Sequence, residues 1–162
     1  MRALRTAAGC ALFLAALASP SMADNGSDSV RWKTVIGIAQ AGNVVAGIGG
    51  GGQPWSTLGG EVHVDLRNSM IEFEVRGLVL AGGNAIGTPD AITQVKGTLV
   101  CGPASATPVV IDTPLVTLSA QGDAEFDGPF TSSTAGCSAT DVAFLIRIAA
   151  NRWIANGSVR VP

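Results

Sequence analysis

The chain has 162 residues, 47% of them hydrophobic and 14% charged, with ten Lys plus Arg against twelve Asp plus Glu. That length fits one domain with a sizeable core. The acidic balance and the absence of clustered bases set nucleic acid and anionic membrane surfaces aside, because their phosphates would be repelled on average.

Residues 1–23 read as a cleaved secretory signal peptide: Arg2 and Arg5 make a positive start, Ala7 to Leu17 an apolar run, and Ser21-Met-Ala23 supplies the small residues that flank a cleavage bond. The apolar run is about half the ~20 residues needed to span a bilayer and no second one follows, so no transmembrane segment is expected. Cys10 precedes most of that run instead of closing it, which argues against lipid attachment. The expected location is periplasmic or secreted. Processing would leave 162 − 23 = 139 residues with 10 − 2 = 8 basic side chains against twelve acidic ones, a charge of −4.

Residues 24–29 form a polar lead-in expected to be poorly ordered, and 30–162 a single all-β domain. A first strand is predicted from Val30, with Val30, Trp32, Thr34, Ile36 and Ile38 sharing a face, followed by a shorter one at Val44, Ala46 and Ile48. Gly49-Gly-Gly-Gly52 lacks the Lys-Ser/Thr of a phosphate-binding loop and reads as a flexible loop. Glu61 to Leu78 reads as a β-hairpin turning at Asn68-Ser69. A two-residue turn would pair Glu61 with Arg76, His63 with Glu74 and Asp65 with Glu72 on the outer face.

Residues 82–90 read as a surface connection into a central strand, residues 92–101, with Thr93, Val95, Gly97, Leu99 and Cys101 on one face and Gln94, Lys96 and Thr98 on the other. Shorter strands follow around residues 107–112, 115–120 and 124–128, then a Ser/Thr/Gly loop holding Cys137. A last hairpin sets Val142, Phe144, Ile146 and Ile148 against Trp153, Ala155, Gly157, Val159 and Val161. No stretch beyond the leader carries a helical period. Eight to ten short strands predict a single-domain β-sandwich with an immunoglobulin-like or superoxide-dismutase-like rhythm, a small barrel being the alternative. In an oxidising compartment the two cysteines left after processing, Cys101 and Cys137, are expected to pair.

Candidate sites are few. His63 is the only histidine, so any Ser-His-Asp or Cys-His mechanism would have to run through it, and no serine sits on a recognisable elbow. His63, Asp65, Glu72 and Glu74 share the outer face of the hairpin, where zinc or calcium could use some of them; a solvated, salt-bridged face is the plainer reading. Trp55, in Gln-Pro-Trp-Ser-Thr, is the candidate ligand-stacking platform. Asp112-Thr-Pro114 has the wrong third residue for an aspartic-protease motif. The rhythm of short strands from Glu61 onward resembles that of the copper/zinc superoxide dismutase and chordin-type sandwiches of exported bacterial proteins. Those dismutases carry several histidines, including a His-x-His on a strand, whereas Val62-His-Val64 has one, and no activity is implied. The expectation is a small exported non-catalytic protein without cofactor, presenting loops to a protein or glycan partner outside the cytoplasm. A metal-binding protein or metal-dependent enzyme using residues 61–78 is the alternative.

Overall fold

A computed structural model describes residues 28–161. The expected signal peptide and the start of the lead-in lie outside them. Asp28 and Ser29, assigned to the lead-in, are tied into the fold: Leu66 N donates to Asp28 O (2.7 Å), and Ser29 opens the first strand opposite Asp65. The described residues hold no helix, and hence none long and apolar enough to cross a membrane.

The strands are β1 (Ser29–Gly37), β2 (Val44–Val45), β3 (Ile48–Gly49), β4 (Trp55–Ser56), β5 (Gly59–Asp65), β6 (Met70–Arg76), β7 (Val79–Leu80), β8 (Gln94–Cys101), β9 (Val109–Asp112), β10 (Val116–Thr117), β11 (Ala124–Pro129), β12 (Val142–Ile148) and β13 (Trp153–Val161). One antiparallel sheet of nine strands runs β10-β8-β12-β13-β1-β5-β6-β11, with β9 also on β8. It curls round a single core, as in a β-sandwich or half-barrel. β9 and β10 bond successive stretches of β8 and act as one strand broken at Pro114, whose ring and missing N–H cannot continue a ladder. After β9 and β10 the chain passes to β11 beside β6 at the other end of the sheet and then returns to place β12 beside β8.

The core is built on aromatic rings seated against glycines. Phe73 lies 5.8 Å from Phe144 and 6.1 Å from Phe126, and Phe144 lies 5.9 Å from Trp32. A Cβ on Gly97 would stand 2.9 Å from Phe73, and one on Gly157 would stand 2.7 Å from Trp32, so these inward strand positions leave room for the rings. Of the inward face expected for residues 92–101, Val95, Gly97, Leu99 and Cys101 are buried, whereas Thr93 is exposed and precedes β8, and Thr98 and Val100 on the other face are buried as well. Cys101 and Cys137 are joined, with their Cα atoms 5.3 Å apart, tying β8 to the loop before β12.

Several local expectations are corrected. The inward phase of β1 holds to Trp32 and then slips, burying Val35 and exposing Ile36. The slip falls where β13, between the pairs Trp32–Arg160 and Thr34–Ser158, is kinked at Val159 with φ 53°. Val159, expected inward, is 60% exposed for the same reason. Val44, Ala46 and Ile48 do not share one strand. Ala46 and Gly47 both take positive φ (49° and 77°) and turn β2 back on β3, as a tight hairpin turn requires. The glycine run is not a loose loop: Gly50 N donates to Asn43 O (2.7 Å), Gly51 N to Trp153 O (2.8 Å), and both glycines are buried.

Candidate functional site

The hairpin β5–β6 forms over the expected residues in a different register. His63 faces Glu72 and Glu61 faces Glu74, while Asp65 faces Met70. Asp65 causes the difference. Its Oδ1 accepts Arg67 N and Asn68 N, both at 3.0 Å, and its Oδ2 accepts Asn68 Nδ2 at 2.7 Å, so residues 66–69 close as a four-residue loop with Ser69 at φ 55°. A shift of two residues keeps every side chain on its own face, because the strand period is two, but changes every partner. The Asn68 donors hold the Asp65 carboxyl below its ordinary range.

β1 flanks β5 and β11 flanks β6, and their outward residues complete the surface. One row across four strands reads Arg31, His63, Glu72, Asp127; the next reads Glu61, Glu74, Glu125 across three. Directly opposed residues of an antiparallel pair have Cβ atoms about 4.5–5.5 Å apart, so Glu61/Glu74, Glu74/Glu125 and Glu72/Asp127 are like-charge pairs that oppose folding. Cations relieve part of this. Arg31 Nη2 lies 2.6 Å from Glu61 Oε2 and Arg76 Nε lies 3.2 Å from Glu74 Oε1. The Arg31 hydrogen bond and charge push the Glu61 carboxyl below its ordinary pKa and raise that of Arg31. Among the described residues Glu72, Glu125 and Asp127 have no ion-pair partner. The face is concave: an open depression of about 740 Å³ is lined by Arg31, Glu61, His63, Glu72, Glu125 and Asp127.

The four residues considered for a metal do not converge. Asp65 is committed to its own loop, Glu74 is held by Arg76, and His63 and Glu72 are left facing each other. Among the described residues no group of three or more His, Cys, Asp or Glu side chains is arranged to hold a metal ion. Trp55, expected as an exposed platform, is only 6% exposed. It pairs with Leu80 in a small sheet and packs under Gly37, where a Cβ would fall 2.2 Å from its carbonyl oxygen. It belongs to the hydrophobic core and offers no open face for stacking.

Sequence reasoning placed His63, Glu72 and Glu74 on one face and left out Arg31, Glu125 and Asp127. The alternation Glu125-Phe126-Asp127 carried the signal for the last two, but only the long-range β6–β11 pairing brings them to this face. It also passed over a second polar group on the opposite side of the molecule. Asp112 accepts from Lys96 Nζ (2.7 Å), Thr98 Oγ1 (2.7 Å) and Arg147 Nη1 (3.1 Å), and Lys96 also donates to Asn151 Oδ1 (2.8 Å). The side chains of Lys96, Asp112 and Arg147 are 15%, 25% and 9% exposed, and their donors and acceptors satisfy one another, so the cluster pins β8, β9 and β12 together. No family model matches this chain, and no curated protein or solved structure is detectably similar to it.

Proposed function

We propose that this chain is a small exported, non-catalytic binding protein whose contact surface is the acidic depression on the outer face of β1, β5, β6 and β11, and that its partner is a basic protein. The observation that carries the reading is the alignment of like charges across strands. Glu74 opposes Glu125 and Glu72 opposes Asp127, an arrangement that lowers stability and raises the local negative potential. A concave face with a surplus of carboxylates over cations attracts and orients cationic groups, and neutralisation by a partner removes the repulsion, so binding and relief of strain act in the same direction. Export fits the apolar leader and the disulfide, since such bonds persist outside reducing compartments.

The test is a calorimetric titration of the mature protein with capped hexalysine, at low and at physiological ionic strength, beside the triple variant Glu72→Gln, Glu125→Gln, Asp127→Asn. The reading expects binding by the wild type that weakens with salt and is largely lost in the variant. Equal binding by both proteins would refute it. Heat that follows added zinc or calcium instead, and disappears in His63→Ala, would favour the metal reading.

A further inference from the structure

His63 is the only histidine of the chain, and imidazole is the one side chain whose ordinary change of charge falls between about pH 5 and about pH 8. It is exposed and lines the acidic depression. On β1 it opposes Arg31, with Ser29 and Lys33 at the next outward positions. On β6 it opposes Glu72, with Met70 and Glu74 at the next outward positions, and Asp127 of β11 stands beyond Glu72 in the same row. Glu61 and Asp65 flank it on its own strand. Most of these charges are already engaged: Arg31 lies 2.6 Å from Glu61, Arg76 lies 3.2 Å from Glu74, and Asp65 accepts from Asn68 N at 3.0 Å and Asn68 Nδ2 at 2.7 Å. Glu72 is different. Among the described residues it has no ion-pair partner, and on its far side it meets the like charge of Asp127. The strand pairing therefore sets a carboxylate without a cation directly across from the side chain that becomes a cation as the medium acidifies.

We infer that His63 is a proton-operated release switch for the basic partner: neutral, it leaves Glu72 to the partner, and protonated, it claims Glu72 and adds a positive charge to the face. The inference rests on the acidic-face reading and specifies how binding at that face is regulated. Contact between the imidazole and the ligand is not required, because neighbouring strands lie about 4.8 Å apart and charges interact over a Debye length of about 8 Å in physiological salt. The coupling is also reciprocal. A proton on His63 that weakens binding of a cation is itself held more weakly, by the same factor, once the cation is bound, so complex formation expels it to the solvent. Carboxylates do not imitate this, since Asp and Glu ordinarily release their protons about two units below the imidazole range.

The probe is capped hexalysine, whose charge stays constant across this range, titrated into the mature protein at low ionic strength. Between about pH 8 and about pH 5.5 the wild type is expected to lose affinity by about three-fold or more, and His63→Gln by less than about two-fold. The second measurement is the binding heat of the wild type near about pH 6.5 in buffers of different ionisation enthalpy. It is expected to depend on the buffer in the sense of proton release, and the dependence is expected to vanish in His63→Gln. An equal pH response of the two proteins, or heats independent of buffer, would overturn the switch and leave the acidic-face reading standing. Failure of hexalysine to bind at any pH would remove both. Should the variant not fold, the sign of proton exchange on the wild type decides alone: release supports the switch, and uptake or no exchange refutes it.

Discussion

Replacing Gly97 by Ala tests whether the core is built as described. A Cβ at this position would lie 2.9 and 3.0 Å from Phe73 Cε1 and Cδ1 and 3.1 Å from Phe144 Cε2, tighter than ordinary carbon contacts. Retreat of either ring presses on another aromatic, Phe126 at 6.1 Å from Phe73 and Trp32 at 5.9 Å from Phe144. Forcing a methyl into such a core costs about 1–3 kcal/mol. Against this, removing a glycine from a strand returns about 0.5–1 kcal/mol of chain entropy. The net expectation is a loss of about 1–2 kcal/mol, read by urea unfolding as a midpoint about 0.5–1 M lower at unchanged slope. Gly52→Ala is the control, because a Cβ there meets nothing within 4 Å. If Gly97→Ala unfolds at or above the wild-type midpoint, the rings are not seated on Gly97 and the account of the core is wrong.

Replacing both Cys101 and Cys137 by Ser opens a loop with a sequence separation of 36, which the chain-entropy relation puts at about 4 kcal/mol, to be read from the same unfolding curves. Asp112→Ala leaves Lys96 and Arg147 without their shared acceptor; partial exposure brings the expected loss to about 2–3 kcal/mol, below that of a fully buried pair, and a loss under ~0.5 kcal/mol would show the cluster to be incidental. The Glu61 carboxyl is held low by Arg31, so its stabilising share is present above the ordinary carboxylate pKa and is lost as pH falls through the depressed folded value. Arg31→Gln should move the Glu61 titration, followed by carboxyl-carbon NMR, upward toward the ordinary range, and an unmoved titration would show that Arg31 is not its cause.

How far the sequence spoke depends on the range of the interaction. Period-two patterning located the central strand, the β5–β6 hairpin and the inward glycines, because burial of one face is written residue by residue. The hairpin register was missed because an Asp side chain folded back on its own loop competes with the two-residue turn, and the strand pattern is blind to a shift of two. Trp55 was misplaced because its burial depends on a short segment distant in sequence, here Val79 and Leu80 on the far side of the β5–β6 hairpin. The acidic face was half legible: local alternation gave His63, Glu72 and Glu74, but Arg31, Glu125 and Asp127 arrive through β1–β5 and β6–β11 pairing, which nothing in the local pattern encodes. The bonds around Asp112 were hidden for the same reason, although Arg147 inside an apolar strand was a visible anomaly calling for a partner.

The most direct test of the acidic face as a contact surface is backbone-amide NMR mapping of the mature protein titrated with capped hexalysine. The account predicts that shift changes gather on the outward residues Arg31, Glu61, His63, Glu72, Glu74, Glu125 and Asp127 and fade as salt is added. Changes centred on the opposite side, around Lys96, Asp112 and Arg147, or no changes at all at low ionic strength, would contradict it.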